Sequence, residues 1–136
     1  MIDKLDASLR FNQAALSLRA RRQDVIASNI ANADTPGYKA RDFDFGSELR
    51  RAVEQGGSGN SLTLATSSAR HVHSTSIVPT SEVDLRYRTP AQSSIDGNTV
   101  EMDAERANFA DNAVRYEAGL TVVSAKIKSL LAALQP

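Results

Sequence analysis

The sequence has no cysteine and no tryptophan, and aromatic residues make up only 5% of its 136 positions. The lack of cysteine excludes disulfides, thiolate nucleophiles and cysteine-ligated zinc sites. No apolar run approaches the ~20 residues that a membrane-spanning helix needs. Asp3 and Asp6 interrupt the segment that would be apolar in a cleavable secretory signal. We therefore expect neither direct insertion into a membrane nor a cleaved signal peptide.

Net charge is absent as well, because 16 basic and 16 acidic residues cancel. A neutral chain lacks the positive field that attracts nucleic acid, so we expect no nucleic-acid partner. The sequence also has no Gly-x-Ser-x-Gly, no phosphate-binding loop and no dinucleotide fingerprint. These absences favour a protein that is not an enzyme and that needs no cofactor.

The apolar residues are concentrated at the two ends of the chain, while the middle is rich in Gly, Ser, Thr and Asn. We expect a mainly α fold in which long N- and C-terminal helices form a coiled-coil-like pair, with a small irregular or β central segment. The chain divides into 1–38, 39–98 and 99–136, which together form one structural unit.

The N-terminal segment has no proline or glycine from Asp3 to Asn32, and apolar residues recur at steps of three and four. The resulting helical seam consists of Leu5, Leu9, Asn12, Leu16, Arg19, Gln23, Ile26 and Ile30. A second seam on another side consists of Ala7, Phe11, Ala14, Leu18, Arg21, Val25, Ser28 and Asn32. Polar residues at mid-helix interrupt both seams.

The C-terminal segment carries a more regular heptad-like seam, made of Phe109, Ala113, Tyr116, Leu120, Val123, Ile127, Leu130 and Leu134. Its opposite face is mostly small, with Ala107, Ala118 and Ala125. Asn98 or Thr99 is expected to cap this helix, since Glu101, Asp103 and Glu105 follow at positions that favour a helix N-terminus.

The middle of the chain predicts only short elements. A short helix is expected from Phe45 to Glu54, followed by a Gly-rich loop. Alternation around Leu62 and Leu64, and again from Val83 to Tyr87, predicts two short strands in a small hairpin or edge ribbon.

Two helices that pair through one face each leave a second apolar face uncovered. Pairing, whether parallel or antiparallel, therefore predicts further contacts between subunits, and heterologous contacts produce rings or helical tubes. For the alanine-rich face alone, high helix propensity is an equally good explanation. The residues expected to pack between helices are Leu5, Leu9, Leu16, Ile26, Ile30, Phe109, Tyr116, Leu120, Val123, Ile127, Leu130 and Leu134.

A turn motif follows the first helix, from Ser28 to Lys39, in the letters SNIANADTPGYK. Thr35 before proline is pushed out of the helix, Pro36 fixes φ in a turn, and Gly37 permits positive φ. The motif closely resembles the N-terminal signature of the flagellar axial proteins, the family of rod, hook and hook-associated proteins. The residues that carry the resemblance are Asn29, Ile30, Asn32, Thr35, Pro36, Gly37 and Tyr38.

Three further segments, 39–45, 96–103 and 109–112, resemble rod subunits of this family. The resemblance implies a structural subunit of the proximal rod, part of the drive shaft that carries torque through the periplasm. It also implies type III export without a cleaved signal. The partners that it implies are copies of the chain itself, the rod proteins FlgC and FlgF, the export-gate adaptor FliE, the MS ring and the export gate.

Two other functions compete with this interpretation. A small helical export chaperone or adaptor would use the second apolar faces to hold one client. An enzyme would need an acid–base pair or a metal site, for which the candidates are Asp42 with Asp44 and His71 with His73. Neither pair has the further ligand or dry pocket that such chemistry requires, so capping and solvation explain these residues better.

Overall fold

The structure is a computed structural model that describes residues 2–56, 83–90 and 94–134. Its elements are α1 (Ile2–Ala31), β1 (Arg41–Asp42), α2 (Phe45–Gly56), β2 (Arg86–Tyr87) and α3 (Met102–Leu134). The predicted fold of two long terminal helices with a small central β segment is confirmed. None of the helices in these ranges has an apolar stretch long enough to cross a membrane.

The helices α1 and α3 pack against each other in antiparallel orientation, a choice that the seams had left open. Near the middle of both helices, Asn112 donates to the backbone carbonyl of Arg19 at 2.9 Å. Towards the N-terminus of α1 and the C-terminus of α3, Lys126 donates to the Ser8 hydroxyl at 2.6 Å. The pair is therefore a long hairpin of helices whose closed end lies at the start of α3.

The short helix α2 is confirmed at the predicted place, and it packs on α1. Asp44 caps it, since its carboxylate accepts hydrogen bonds at 3.2 Å from the backbone N–H groups of both Gly46 and Ser47. The Arg19 guanidinium lies 4.5 Å from the centre of the Phe45 ring. Beside it Leu18 is buried within the chain, so part of the second seam of α1 is covered without a neighbouring subunit.

The strand expected from Val83 to Tyr87 is present but shorter than predicted. It is β2, which pairs with β1 in antiparallel register, Arg41 opposite Tyr87. The backbone N–H of Arg88 extends the contact by donating to the Ala40 carbonyl at 2.9 Å. The predicted strand at Leu62 and Leu64 lies outside the described residues.

The expected cap of α3 by Asn98 or Thr99 is wrong. The helix begins at Met102, and its first turn is closed by the Glu105 N–H donating to the Glu101 carbonyl at 2.9 Å. The Thr99 hydroxyl instead accepts from the Ala40 N–H at 2.8 Å. The side chain of Asn98 is directed to α1, where free carbonyls at a helix end need donors.

The core lies at the closed end of the hairpin. Among the described residues, the buried apolar side chains are Leu18, Ile26, Ala40 and Phe43. Buried polar side chains accompany them: Asn29, Glu48, Asn98, Glu105 and Asn112. Beyond Leu18 on α1 and Asn112 on α3, the pair therefore contains no buried residue in the part of the chain that is described.

Candidate assembly interface

Asn29 of the turn motif anchors the end of α1 to strand β1. Its side-chain amide donates to the Arg41 carbonyl at 2.8 Å, and its side-chain oxygen accepts from the Arg41 N–H at 3.1 Å. The Tyr38 hydroxyl lies 3.4 Å from the same oxygen. Because Asn29 is fully buried, these bonds satisfy a polar side chain that would otherwise destabilise the fold.

Gly37 has the positive φ that the Pro-Gly turn predicts, with a value of 74°. The turn is closed by the Tyr38 N–H donating to the Thr35 carbonyl at 3.2 Å. The Gly37 N–H then donates to the Asp96 carbonyl at 2.9 Å, so the turn is tied directly to the segment that leads into α3. In this chain the motif acts as a junction between the two long helices.

Asn98 completes the junction, and the sequence interpretation gave it the wrong role. Its side-chain amide nitrogen lies 3.1, 2.7 and 3.0 Å from the carbonyl oxygens of Asn32, Ala33 and Thr35. These carbonyls belong to the end of α1 and the turn that follows it, where a helix no longer supplies N–H donors. The match of residues 96–103 to rod subunits was the one signal that pointed to this position.

A cluster of four charges lies beside the junction and was not predicted. Asp42 accepts hydrogen bonds from Arg22 at 2.9 Å and from Arg88 at 2.8 Å. Arg88 also donates to Glu105, whose side chain is fully buried. Two cations and two carboxylates balance, so α1, β1, α3 and the segment after β2 meet around a neutral group. The sequence alone had suggested Asp42 as an acid–base candidate and Glu105 as a residue that favours the start of a helix.

The carboxylates weighed for catalysis have structural partners. Burial raises the pKa of Asp42, but hydrogen bonds from Arg22, the Phe43 N–H and Arg88 outweigh burial and leave that pKa below its ordinary value. Hydrogen bonds from Ser47 and Gly46 at the start of α2 lower the pKa of Asp44. Both groups are thus held ionised, which does not suit a general acid. His71 and His73 lie outside the described residues.

The predicted packing residues fall into two groups within this single chain. Ile26 is buried, and Leu9, Leu16, Ile30, Tyr116, Val123 and Leu130 are half-buried. Phe109, Leu120, Ile127 and Leu134 are exposed, by 39, 43, 47 and 81% respectively. The side chain of Leu5 is not among those described. The heptad-like seam of α3 is therefore turned partly away from α1, so that only some of its residues face that helix.

Polar residues occupy the line of α3 that does face α1. Asn112 is buried and donates to the side-chain oxygen of Gln23 at 2.5 Å as well as to the Arg19 carbonyl. About two turns further along each helix, a Cβ placed at Gly119 would lie 2.9 Å from Cδ2 of Leu16. The mid-helix interruptions of the N-terminal seam are thus matched by a polar and a small residue on α3.

An open, mostly apolar groove runs between the two helices. It is lined by Leu9, Gln13, Leu16, Ser17, Ala20, Tyr116 and Val123. On the same side of α3 the exposed Phe109, Leu120 and Ile127 follow at spacings that share one face. The rotated seam and the groove together form a wide apolar surface, which we name the groove face.

Comparison with known proteins identifies the class of protein to which this chain belongs. Residues 9–39 match the family model described as "Flagella basal body rod protein". The chain is 53% identical to the flagellar basal body rod protein FlgB of Yersinia enterocolitica and 51% identical to FlgB of Escherichia coli strain K12. In both comparisons 99% of this chain and 98% of the relative are covered. FlgB of Cereibacter sphaeroides is 46% identical over 89% of this chain and 88% of its own length.

A hairpin of long helices with a broad exposed apolar face, together with these relatives, defines a structural protein of the flagellar basal-body rod and not an enzyme. The chain belongs to the FlgB family of flagellar basal body rod proteins. These relatives give no support to the alternative of an export chaperone or adaptor.

Proposed function

We propose that this chain polymerises through α1 and α3 to form part of the proximal rod, the segment of the flagellar drive shaft that transmits torque from the motor. The observation that carries the proposal is the groove face. Leu120 and Ile127 are 43% and 47% exposed in the single chain, although they stand at seam positions of a long helix. An apolar face of this extent on a lone molecule favours association.

Torque requires that a load on one helix reach the other without slippage. The junction supports this requirement, because Asn29, Asn98 and the four-charge cluster bind α1, β1 and the start of α3 to one another. The turn motif would then set the angle at which each subunit presents its groove face. The three parts, 1–38, 39–98 and 99–136, act as one unit in this proposal.

The same proposal includes location and partners. Assembly would take place in the periplasm after export through the flagellar type III channel, without cleavage of a signal peptide. Neighbours would be further copies of the chain, the rod proteins FlgC and FlgF, and the adaptor FliE, with the MS ring and export gate at the base. The support is membership of the FlgB family and the two terminal helices that such neighbours would contact.

The test is Leu120→Asp, expressed in a flagellated bacterium from which the resident FlgB gene has been deleted. Leu120 is exposed within the chain, so a charge there leaves the α1–α3 pair intact but would be buried at a contact between subunits. We expect loss of swimming and of rods in isolated basal bodies. Val123→Asp, in the groove, should behave in the same way.

Thr121→Asp is the matched control, because Thr121 is exposed on the side of α3 away from the groove. It should retain most swimming, at a protein level equal to that of Leu120→Asp. Swimming at the unmodified rate by Leu120→Asp would refute assembly through the groove face. Failure of the unmodified chain to restore swimming would refute the role in the rod.

A further inference from the structure

The α1–α3 pair has a second apolar feature on the flank away from the groove. Phe11 of α1 and Val122 of α3 are both 47% exposed. In sequence they are flanked by small residues, Ala7 and Ala14 on α1 and Ala118 on α3. Two large side chains among alanines protrude as a ridge, which we name the Phe11–Val122 ridge.

The ridge and the groove lie on opposite flanks of the same pair. The line of α1 that meets α3 runs through Ser8, Leu16 and Gln23. At about 100° per residue, Phe11 projects roughly a quarter turn to one side of this line, and the groove residues Leu9 and Gln13 project to the other.

Residues of α3 can be placed in the same way, by their angle from its line of contact with α1. That line runs through Asn112, Gly119 and Lys126. Val122 projects to one side of that line and Val123 to the other, where it lines the groove. Since the groove marks one flank on both helices, Phe11 and Val122 share the opposite flank.

Ridge and groove also lie at the same height along the helices. The contacts of Ser8 with Lys126 and of Leu16 with Gly119 mark two levels of the antiparallel pair. Phe11 and Val122 lie between these two levels, as does the part of the groove between Leu9 and Leu16. The groove is lined by apolar, hydroxyl and amide side chains without a charge, so it suits an apolar insert.

From this geometry we propose that the Phe11–Val122 ridge of one copy inserts into the groove of a second copy at the same height. This inference rests on the proposed function and specifies its contact. Surfaces on opposite flanks make a heterologous contact, which each added copy repeats, and such contacts close into rings or continue as helical tubes. The occupant is a second copy because the protein itself carries a ridge that matches the groove in level and polarity.

Cysteine cross-linking tests the contact directly, because the natural sequence contains no cysteine. Phe11→Cys and Gln13→Cys chains carrying different epitope tags are expressed together in the strain without its resident FlgB, and isolated basal bodies are treated with a short thiol cross-linker. Within one chain the two positions point to opposite flanks, so a product with both tags reports a contact between copies. We expect that product at a level at least tenfold above the control.

The matched control replaces Phe11→Cys by Arg21→Cys, an exposed position on the side of α1 away from α3. If either cysteine chain prevents swimming, Val122→Cys with Ser17→Cys takes its place. As a second measurement, Phe11→Glu should stop swimming, and Phe11→Glu with Gln13→Lys in every copy should restore it, since the new charges meet between copies.

Each result decides the proposal. Basal bodies that contain both tagged chains but yield no mixed product, or that yield only a Phe11→Cys homodimer, overturn the ridge-in-groove contact and leave the role in the rod intact. Failure of Gln13→Lys to rescue Phe11→Glu also overturns it. Absence of the unmodified chain from basal bodies would overturn the proposed function itself.

Discussion

Arg88 donates a hydrogen bond from Nη1 to Oε1 of Glu105, a carboxylate whose residue is completely buried on the first turns of α3. Arg88 comes from the short stretch after β2 and contacts Asp42 of β1 with its other terminal nitrogen. One guanidinium thus joins the central segment to a long helix. The neutral balance of the cluster depends on it.

Arg88→Met is expected to destabilise the junction by about 3–5 kcal/mol, the usual cost of leaving a buried charge without its partner. Glu105→Met in the same chain should recover most of that loss, because the unpaired charge is removed with it. The measurement is the temperature at which isolated basal bodies release the subunit. Arg86→Met is the control, since Arg86 pairs with Asp84 in solvent and its removal should cost at most about 1 kcal/mol. Equal effects of the two arginine changes would contradict the assignment.

Asn98→Asp is expected to weaken the junction more than Asn98→Ala. The amide of Asn98 serves three carbonyls at the end of α1, and a carboxylate of the same shape has no hydrogen to donate. Alanine removes the side-chain donor that these carbonyls share, at about 1–3 kcal/mol, whereas aspartate also adds a negative charge at the negative end of a helix. The measurement is the swimming radius in soft agar at equal protein levels. A radius for Asn98→Asp as large as that for Asn98→Ala would refute the role of the amide.

The stability of the junction should fall at acid pH partly through Asp42. Its folded pKa lies below the ordinary value near 3.8, so its stabilising contribution is complete above that value and is lost as pH falls through the lower, folded pKa. Asp42→Asn should therefore reduce stability at neutral pH and flatten its decline below pH ~4. Release of the subunit from isolated basal bodies across a pH series measures both effects.

Asp6→Asn is the control for that series, because Asp6 pairs with Arg10 on the exposed surface of α1. It should leave both the neutral-pH stability and the acid decline close to those of the unmodified chain. An acid decline in Asp42→Asn as steep as that of Asp6→Asn would show that Asp42 does not contribute to it.

The isolated chain is expected to contain far less helix than the 30 residues of α1 and the 33 of α3. Among the described residues, buried apolar side chains lie only between Leu18 and the closed end, and long helices without buried faces are marginal in water. Far-ultraviolet circular dichroism at low micromolar concentration makes the measurement, with the polymerised protein as the reference. Full helicity of the isolated chain would mean that its faces need no neighbour.

The long helices were predictable because heptad spacing such as that of Leu120, Val123 and Ile127 is a local pattern. The rotation of that seam was not, because it depends on which residues of α3 fit α1. There Asn112 meets Gln23, and Gly119 admits Leu16. The turn at Gly37 could be read from Pro-Gly alone, but the tether of Asn98 joins residues more than 60 positions apart. Contacts at such separations leave no periodicity in a single sequence.

The pairing of β1 with β2 has a topological consequence. Asp42 stands opposite Arg86, so the central segment, which includes α2 on the surface of α1, begins and ends at neighbouring points. Material added between α2 and β2 would not need to separate these two ends, and the entropic cost of closing a longer loop grows only slowly with its length. A subunit with this architecture can therefore acquire an additional domain at this position while its helices keep their packing.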